Sequence, residues 1–123
     1  LALPALLAAQ TSVAGTRAPN QRLDAEYERF YRAQTGDAKF GSPLVDHLPL
    51  AQGVPTPKDV LGYYIGTPRK LTYYEDILKY YRALAAASPR VRIETIGRSD
   101  EGRELVVVWI SSEANIRGLD ANK

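Results

Sequence analysis

The sequence predicts an α/β fold in which a helix leads into a strand, a tight turn and a second strand. Apolar side chains at helical spacing indicate the helix over residues 72 to 87, and alternating apolar and polar residues indicate a strand from Val91 to Ile96. The segment from Leu105 to Ile110 has no polar residue. Such a run is typical of a strand covered on both faces inside a larger sheet, so we expect further elements around this hairpin.

An earlier helix is predicted from residue 24 to residue 34. Asp24 stands at its start and Gly36 follows its end, as expected for helix boundaries. One apolar face is formed by Leu23, Tyr27, Phe30 and Tyr31.

A proline-rich segment then runs from Gly41 to Pro57, and its four prolines exclude long regular structure. We expect an extended path over a surface, with contacts made by Leu44, Val45, Leu48 and Leu50. The pattern between Lys58 and Gly66 fits a short helical turn or a loop.

The main helix carries its own boundary signals. Thr72 and Glu75 have the spacing of a capping box, and Ser88-Pro89 ends the helix. Its predicted apolar face consists of Ile77, Tyr80, Tyr81 and Leu84. A short last helix is expected to begin at Ser112 and to contain Ile116 and Leu119.

The turn between the strands is bounded by Gly97 and Gly102, with Arg98, Ser99, Asp100 and Glu101 between them. Glycine at each end suits a reversal that needs positive φ.

Composition limits the partners. The chain has 16 basic and 14 acidic residues, a net charge of +2, and the basic residues are spread along it. This balance argues against a nucleic-acid partner. The absence of cysteine excludes disulfides and thiolate metal sites within these residues.

The first nine residues are apolar and uncharged, and Ser12-Val13-Ala14 provides a small-x-small pattern before Gly15. These features predict the back half of a secretory signal peptide, too short to span a bilayer. The alternative is a mobile Ala/Leu-rich N-terminal helix. The predicted organisation is a partial signal peptide and linker over residues 1–20, a helical and proline-rich segment over 21–66, and a separate domain beginning at residue 67.

No catalytic, substrate-binding or metal-ligating residue is assigned. His47 is the single histidine, whereas a catalytic zinc needs three protein ligands. Glu101 and Glu104 have the separation of a carboxylate pair, yet a solvated turn with Arg98 and Arg103 explains them better. The spacing of Gly97 and Gly102 fits a phosphate loop, but the Lys-Ser/Thr that should follow is missing. No serine has a plausible general base to activate it. The three Tyr-Tyr pairs fit packing better than ligand stacking.

Residues 67 to 112 resemble the opening of the catalytic domain of zinc carboxypeptidases of the M14 type. The resemblance rests on Leu71-Thr72-Tyr73-Tyr74, Ser88-Pro89, Ile96-Gly97-Arg98-Ser99, Glu101-Gly102-Arg103-Glu104-Leu105 and Trp109-Ile110-Ser111. It implies a three-layer α/β/α domain around a mixed sheet. It also implies one zinc held by an H-x-x-E motif and a later histidine, with a glutamate as general base.

None of those catalytic residues maps onto this chain, and the H-x-x-E motif is expected shortly after Lys123. The resulting hypothesis is an N-terminal fragment, itself inactive, of a secreted or periplasmic zinc carboxypeptidase. Its partner is then a peptide or protein substrate, with no membrane anchor in the mature form. The alternatives are a small exported α+β module that binds a peptide or protein, and a pseudo-peptidase.

Overall fold

The computed structural model describes residues 19–122 of the chain. This part is a small mixed α/β fold with four α-helices, two short 3-10 helices and a two-stranded antiparallel sheet. Its contacts divide it into two compact units, one ending at Pro49 and the other beginning at Leu50. The signal peptide predicted before Gly15 lies outside the described residues, as does all of the linker that follows it except residues 19 and 20.

In the first unit, helix α1 spans Ala25–Gln34, which confirms the helix predicted from residue 24 to 34. The Asp24 carboxylate begins it by accepting hydrogen bonds from the amides of Glu26 and Tyr27, at 2.9 and 3.0 Å. A carboxylate in this position accepts hydrogen bonds from amides that have no partner inside the helix. Its negative charge also interacts favourably with the positive end of the helix dipole.

The proline-rich segment folds back onto α1 through its backbone. The Tyr27 hydroxyl donates to the carbonyl of Val45 at 2.8 Å, and the Tyr31 hydroxyl accepts from the amide of Ser42 at 2.7 Å. The side chains of Leu44 and Val45 are exposed, so their predicted role as contact points was wrong. Tyrosine hydroxyls bonded to the main chain hold this segment instead.

The second unit begins with helix α2, Pro57–Leu61, which resolves the choice left open for residues 58–66 in favour of a helical turn followed by a loop. Thr56 and Asp59 form a reciprocal capping box, in which the Asp59 carboxylate accepts from the Thr56 amide at 2.8 Å. These hydrogen bonds lower the pKa of Asp59. Gly62, at φ 81°, ends the helix in the left-handed conformation.

Helix α3 spans Tyr74–Ala87, so its predicted C-terminal end is confirmed. The capping box predicted at Thr72 was wrong, because the helix starts one residue later than that box requires. Tyr73 is the cap residue, and its amide donates to the Asp76 carboxylate at 3.4 Å. The Thr72 hydroxyl instead accepts a hydrogen bond from Tyr63 at 3.2 Å.

The buried face of α3 agrees with the predicted one at Tyr80, Tyr81 and Leu84, which are half-buried, and differs from it at Ile77. Leu78 is buried, with 5% of its surface exposed, whereas Ile77 is 38% exposed. Tyr74 and Tyr81 lie half-buried on the same side as Leu78, at the i, i+4, i+7 spacing of a helix face. Tyrosine and leucine therefore supply the packing that the sequence pattern assigned partly to isoleucine.

The sheet consists of β1, Val91–Arg98, and β2, Glu104–Ile110. Val91 lies opposite Ile110, and the pairing continues regularly to Thr95 opposite Val106. A β-bulge at Ile96 then shifts the register, so that Gly97 faces Leu105. Both predicted strands are confirmed, and the bulge is an addition that the alternation in β1 did not indicate.

The described residues do not bury β2 on both faces. Ile110 is 67% exposed and Leu105 is also exposed. Of the two turn glycines, Gly102 has positive φ, at 77°, whereas Gly97 does not because it belongs to the ladder after the bulge. The predicted last helix is found as α4, Glu113–Arg117, whose first turn is capped by the Ser112 hydroxyl, but it ends before Leu119, which begins a separate 3-10 helix.

Candidate functional site

The turn between β1 and β2 forms a groove with the first turn of α3. Its volume is about 520 Å³. It is lined by Tyr74, Ser99, Asp100, Glu101, Arg103, Glu104 and Leu105. All of these residues except Asp100 belong to the segments on which the family resemblance rests.

Glu104 is the best-connected carboxylate of the groove. The Thr95 hydroxyl donates to one of its oxygens at 2.7 Å, and Arg82 forms an ion pair with the other. The hydrogen bond from Thr95, followed by the contact with Arg82, lowers the pKa of Glu104. A carboxylate held ionised in this way is suited to fixing α3 against the sheet, and it is a poor general acid.

The main chain of the same residue ties the helix to the strand. The Tyr74 hydroxyl donates to the Glu104 carbonyl oxygen at 2.6 Å. These partners could not be predicted from the sequence. Tyr74, Arg82 and Thr95 come from three different segments, and the only clue was one charged residue at the start of an apolar strand.

The carboxylates weighed as a pair from the sequence have separate partners. Glu101 lies in the exposed turn and pairs with Arg103 at 3.1 Å. Glu104 is engaged by the helix and by β1. Neither contact resembles two carboxylates converging on a substrate, which supports the interpretation of the turn as solvated.

A smaller groove of about 270 Å³ adjoins the first and brings three arginines together. Arg82 is bound to Glu104, and Arg98 donates to the carbonyl of Gly102 at 2.9 Å. Arg103 is bound to the turn carboxylate. Each guanidinium therefore has a protein acceptor, and because Glu75 and Glu104 line the same groove, it offers an anion little net positive charge.

In the first unit, the single histidine of the chain is buried. His47 is 7% exposed, and its Nδ1 lies 2.6 Å from the Asp46 carboxylate. A neighbouring cleft of about 390 Å³ is lined by residues of α1 and of the segment that follows it, among them Tyr31, Arg32 and Asp46. Burial raises the pKa of the Tyr27 hydroxyl nearby.

Zinc has no fitting site among the described residues. No group of three or more histidine, aspartate or glutamate side chains converges within residues 19–122 as a metal site requires. Buried His47 and half-exposed Asp46 supply at most two such groups. No zinc-dependent step is therefore assigned to residues of this chain.

No helix within residues 19–122 combines the length and apolar character that crossing a membrane requires. Comparison of the chain with protein-family models, curated proteins and solved structures finds no match in any of the three.

Proposed function

We propose that residues 67–123 form the opening helix and hairpin of a zinc carboxypeptidase domain, in a protein that hydrolyses C-terminal peptide bonds with a zinc-activated water. In this proposal the present residues are scaffold, and the zinc ligands and general base belong to sequence beyond Lys123. The two-stranded hairpin and α3 would then be the first elements of a three-layer sheet domain.

The order and turn chemistry of the second unit carry the proposal. A helix ending at Ser88 leads into an antiparallel hairpin whose turn closes at Gly102, in the positions where the resemblance expects them. The apolar residues of β2 give independent support. Ile110 is exposed, and the enclosed indole N–H of Trp109 finds no hydrogen-bond acceptor in the described part of the chain. An orphaned N–H of this kind is costly, and neighbouring elements of a larger domain would relieve that cost.

The test is to read the coding sequence past Lys123 and to assay the longer product. We expect a further apolar strand followed by H-x-x-E, uptake of one zinc per chain, and release of C-terminal residues from a peptide with a free carboxylate. The 123-residue chain, assayed in parallel, is expected neither to take up zinc nor to release C-terminal residues. Stoichiometric zinc and trimming activity in the short chain would contradict the proposal.

The second candidate is a small exported module that binds a peptide or protein without catalysis. It is favoured by the open edge of β2, to which an extended chain can add by main-chain hydrogen bonds. A stop codon directly after Lys123 supports this module, and a downstream H-x-x-E supports the enzyme. A longer reading frame with the ligands replaced would identify a pseudo-peptidase.

We also propose that the protein is secreted or periplasmic, on the basis of the apolar first nine residues and the Ser12-Val13-Ala14 pattern. Expression of the full reading frame in a bacterial host, followed by N-terminal sequencing, tests this. A mature chain that begins near Gly15 is the expected product. An uncleaved cytoplasmic product would contradict export.

A further inference from the structure

The cleft of the first unit lies between the last turn of α1 and the segment that follows this helix, and its volume is about 390 Å³. This volume is within the range of pockets that hold small organic molecules. The described residues that line it all lie between Tyr31 and Asp46. Its walls therefore belong to the first unit and lie outside the residues assigned above to a peptidase domain.

Two hydroxyl groups in this cleft each keep a proton to donate. The Tyr31 hydroxyl accepts a hydrogen bond from the Ser42 amide at 2.7 Å, and the Ser42 hydroxyl accepts one from the Leu44 amide at 3.3 Å. A hydroxyl group that accepts from an amide can still donate its own proton. Within residues 19–122 neither proton has an acceptor, so both hydroxyls can donate to a ligand.

Arg32 adds a positive charge to the same cleft. It is exposed in the last turn of α1, and its side chain forms no ion pair or hydrogen bond within the described part of the chain. This distinguishes it from Arg82, Arg98 and Arg103 of the second unit, which each have a protein acceptor. A guanidinium presents its N–H donors in a fork that matches the two oxygens of a carboxylate.

Gly41 leaves space beside these donors. Its φ of −81° is open to any residue, so the backbone conformation does not require glycine here. A Cβ at this position would lie 3.4 Å from the Tyr31 hydroxyl oxygen, 3.6 Å from the Thr35 methyl carbon and 3.2 Å from the Ala38 carbonyl oxygen. Glycine costs conformational entropy on folding and is often found where a ligand approaches the backbone closely. A side chain at this position would fill the cleft at the Tyr31 hydroxyl.

We propose that this cleft binds the carboxylate of a small organic acid. The two carboxylate oxygens accept hydrogen bonds from the Arg32 guanidinium and from the hydroxyls of Tyr31 and Ser42. The apolar part of the acid lies against Ala38 and Pro43, which line the same cleft. One ligand group thereby supplies acceptors to three donors that have none within the described residues.

The charges of the cleft favour a ligand with a single negative charge. The Asp46 carboxylate also lines it, 2.6 Å from Nδ1 of His47. A phosphate dianion would be repelled by this carboxylate more strongly than a monocarboxylate, and a neutral ligand gains nothing from the charge of Arg32. Because Arg32 is exposed to solvent, we expect a salt-dependent affinity with a Kd on the order of 1 mM.

Titration of the isotope-labelled 123-residue chain with benzoate, followed by NMR of the backbone amides, tests the proposal. Benzoate should shift the amide signals of Gly41 and Ser42 saturably and leave those of the second unit unchanged. Benzamide has the same ring without the charge, so it is the matched ligand control and should bind at least about tenfold more weakly. Phenyl phosphate, titrated under mildly alkaline conditions where it is a dianion, should also bind more weakly than benzoate.

Two pairs of variants test the residues. Arg32→Gln should weaken benzoate binding about tenfold, whereas Arg29→Gln should leave it unchanged. Arg29 is an exposed arginine of the same helix and is not among the described residues that line the cleft. Gly41→Ala should weaken binding by filling the space at the Tyr31 hydroxyl, whereas Gly36→Ala, where a Cβ meets nothing within 4 Å, should not. Circular dichroism of each variant shows that the fold is retained.

The proposal is overturned by equal affinity for benzoate and benzamide, by tighter binding of phenyl phosphate, by amide shifts that do not saturate, or by equal effects of glutamine at positions 29 and 32. A peptide with a free C-terminal carboxylate that displaces benzoate at equal concentration would overturn the assignment to a small free acid. None of these measurements concerns zinc or a residue after Pro49, so the peptidase proposal is tested separately.

Discussion

The hydroxyl of Tyr74 donates to the main-chain carbonyl of Glu104 at 2.6 Å, joining the first residue of α3 to the first residue of β2. The two residues are 30 positions apart in the chain, so this bond orders a long stretch of sequence.

Replacing Tyr74 with phenylalanine removes this bond and leaves the half-buried ring in place. We expect the free energy of unfolding to fall by about 1 kcal/mol, the usual net contribution of one hydrogen bond. Urea denaturation followed by circular dichroism measures it. Tyr73→Phe is the control, because that side chain is exposed, and an equal loss in both variants would argue against the bond.

The stability that Glu104 contributes should depend on pH. Its pKa in the folded chain is lowered from the ordinary value of 4.5, first by the hydrogen bond from Thr95 and then by Arg82. The contribution is therefore fully present above pH 4.5 and is lost as the pH falls through the lower folded pKa.

Glu104→Gln should accordingly be less stable than the unmodified chain at pH 7, and the difference should narrow in acid. Urea unfolding at a series of pH values between neutral and acid conditions provides the measurement. Glu101→Gln, in the exposed turn, serves as the comparison. A difference that stays constant down to the lowest pH would show that ionisation of Glu104 is not the cause.

The two glycines of the hairpin should respond differently to alanine. Gly102 has φ 77°, a conformation that costs a residue with a side chain about 1 kcal/mol or more. Gly97 lies outside that region, and a Cβ there meets nothing within 4 Å. Thermal unfolding of Gly102→Ala should show the larger loss, and the reverse order would contradict the turn geometry described above.

The packing of α3 is tested by shortening neighbouring residues. Leu78→Ala removes a buried side chain and should lower the unfolding free energy by about 2–4 kcal/mol. Ile77→Ala removes a more exposed one and should cost less than half as much. If Ile77 proved the costlier position, the helix would be rotated relative to the face assigned here.

Local signals in the sequence were enough to locate the regular elements. Alternation predicted β1, an unbroken apolar run predicted β2, Ser88-Pro89 predicted the end of α3, and Asp24 predicted the start of α1. These features act within a few residues, so they survive whatever the rest of the chain does. The face of α3 that is buried was harder to predict, since Ile77 and Leu78 are both apolar and only packing decides which one is buried.

The candidate site was harder to predict because its contacts are long-range. Glu104 was singled out with its neighbours in the turn, but its partners Arg82 and Thr95 lie on other elements. No spacing rule connects residues brought together by a helix crossing a hairpin. Thr72 illustrates the same point. Its hydroxyl was predicted to cap α3 but accepts a hydrogen bond from Tyr63, which belongs to a separate segment.

The extra residue at Ile96 prevents two arginines from facing each other across the hairpin. If pairing had continued evenly beyond Thr95, Arg98 would stand across from Arg103, and Glu104 would have glycine as its neighbour. The inserted residue instead aligns Arg98 with Glu104, whose acidity its charge then reinforces. The ionic balance at this end of the hairpin thus depends on how many residues the first strand contains, as much as on which side chains it carries.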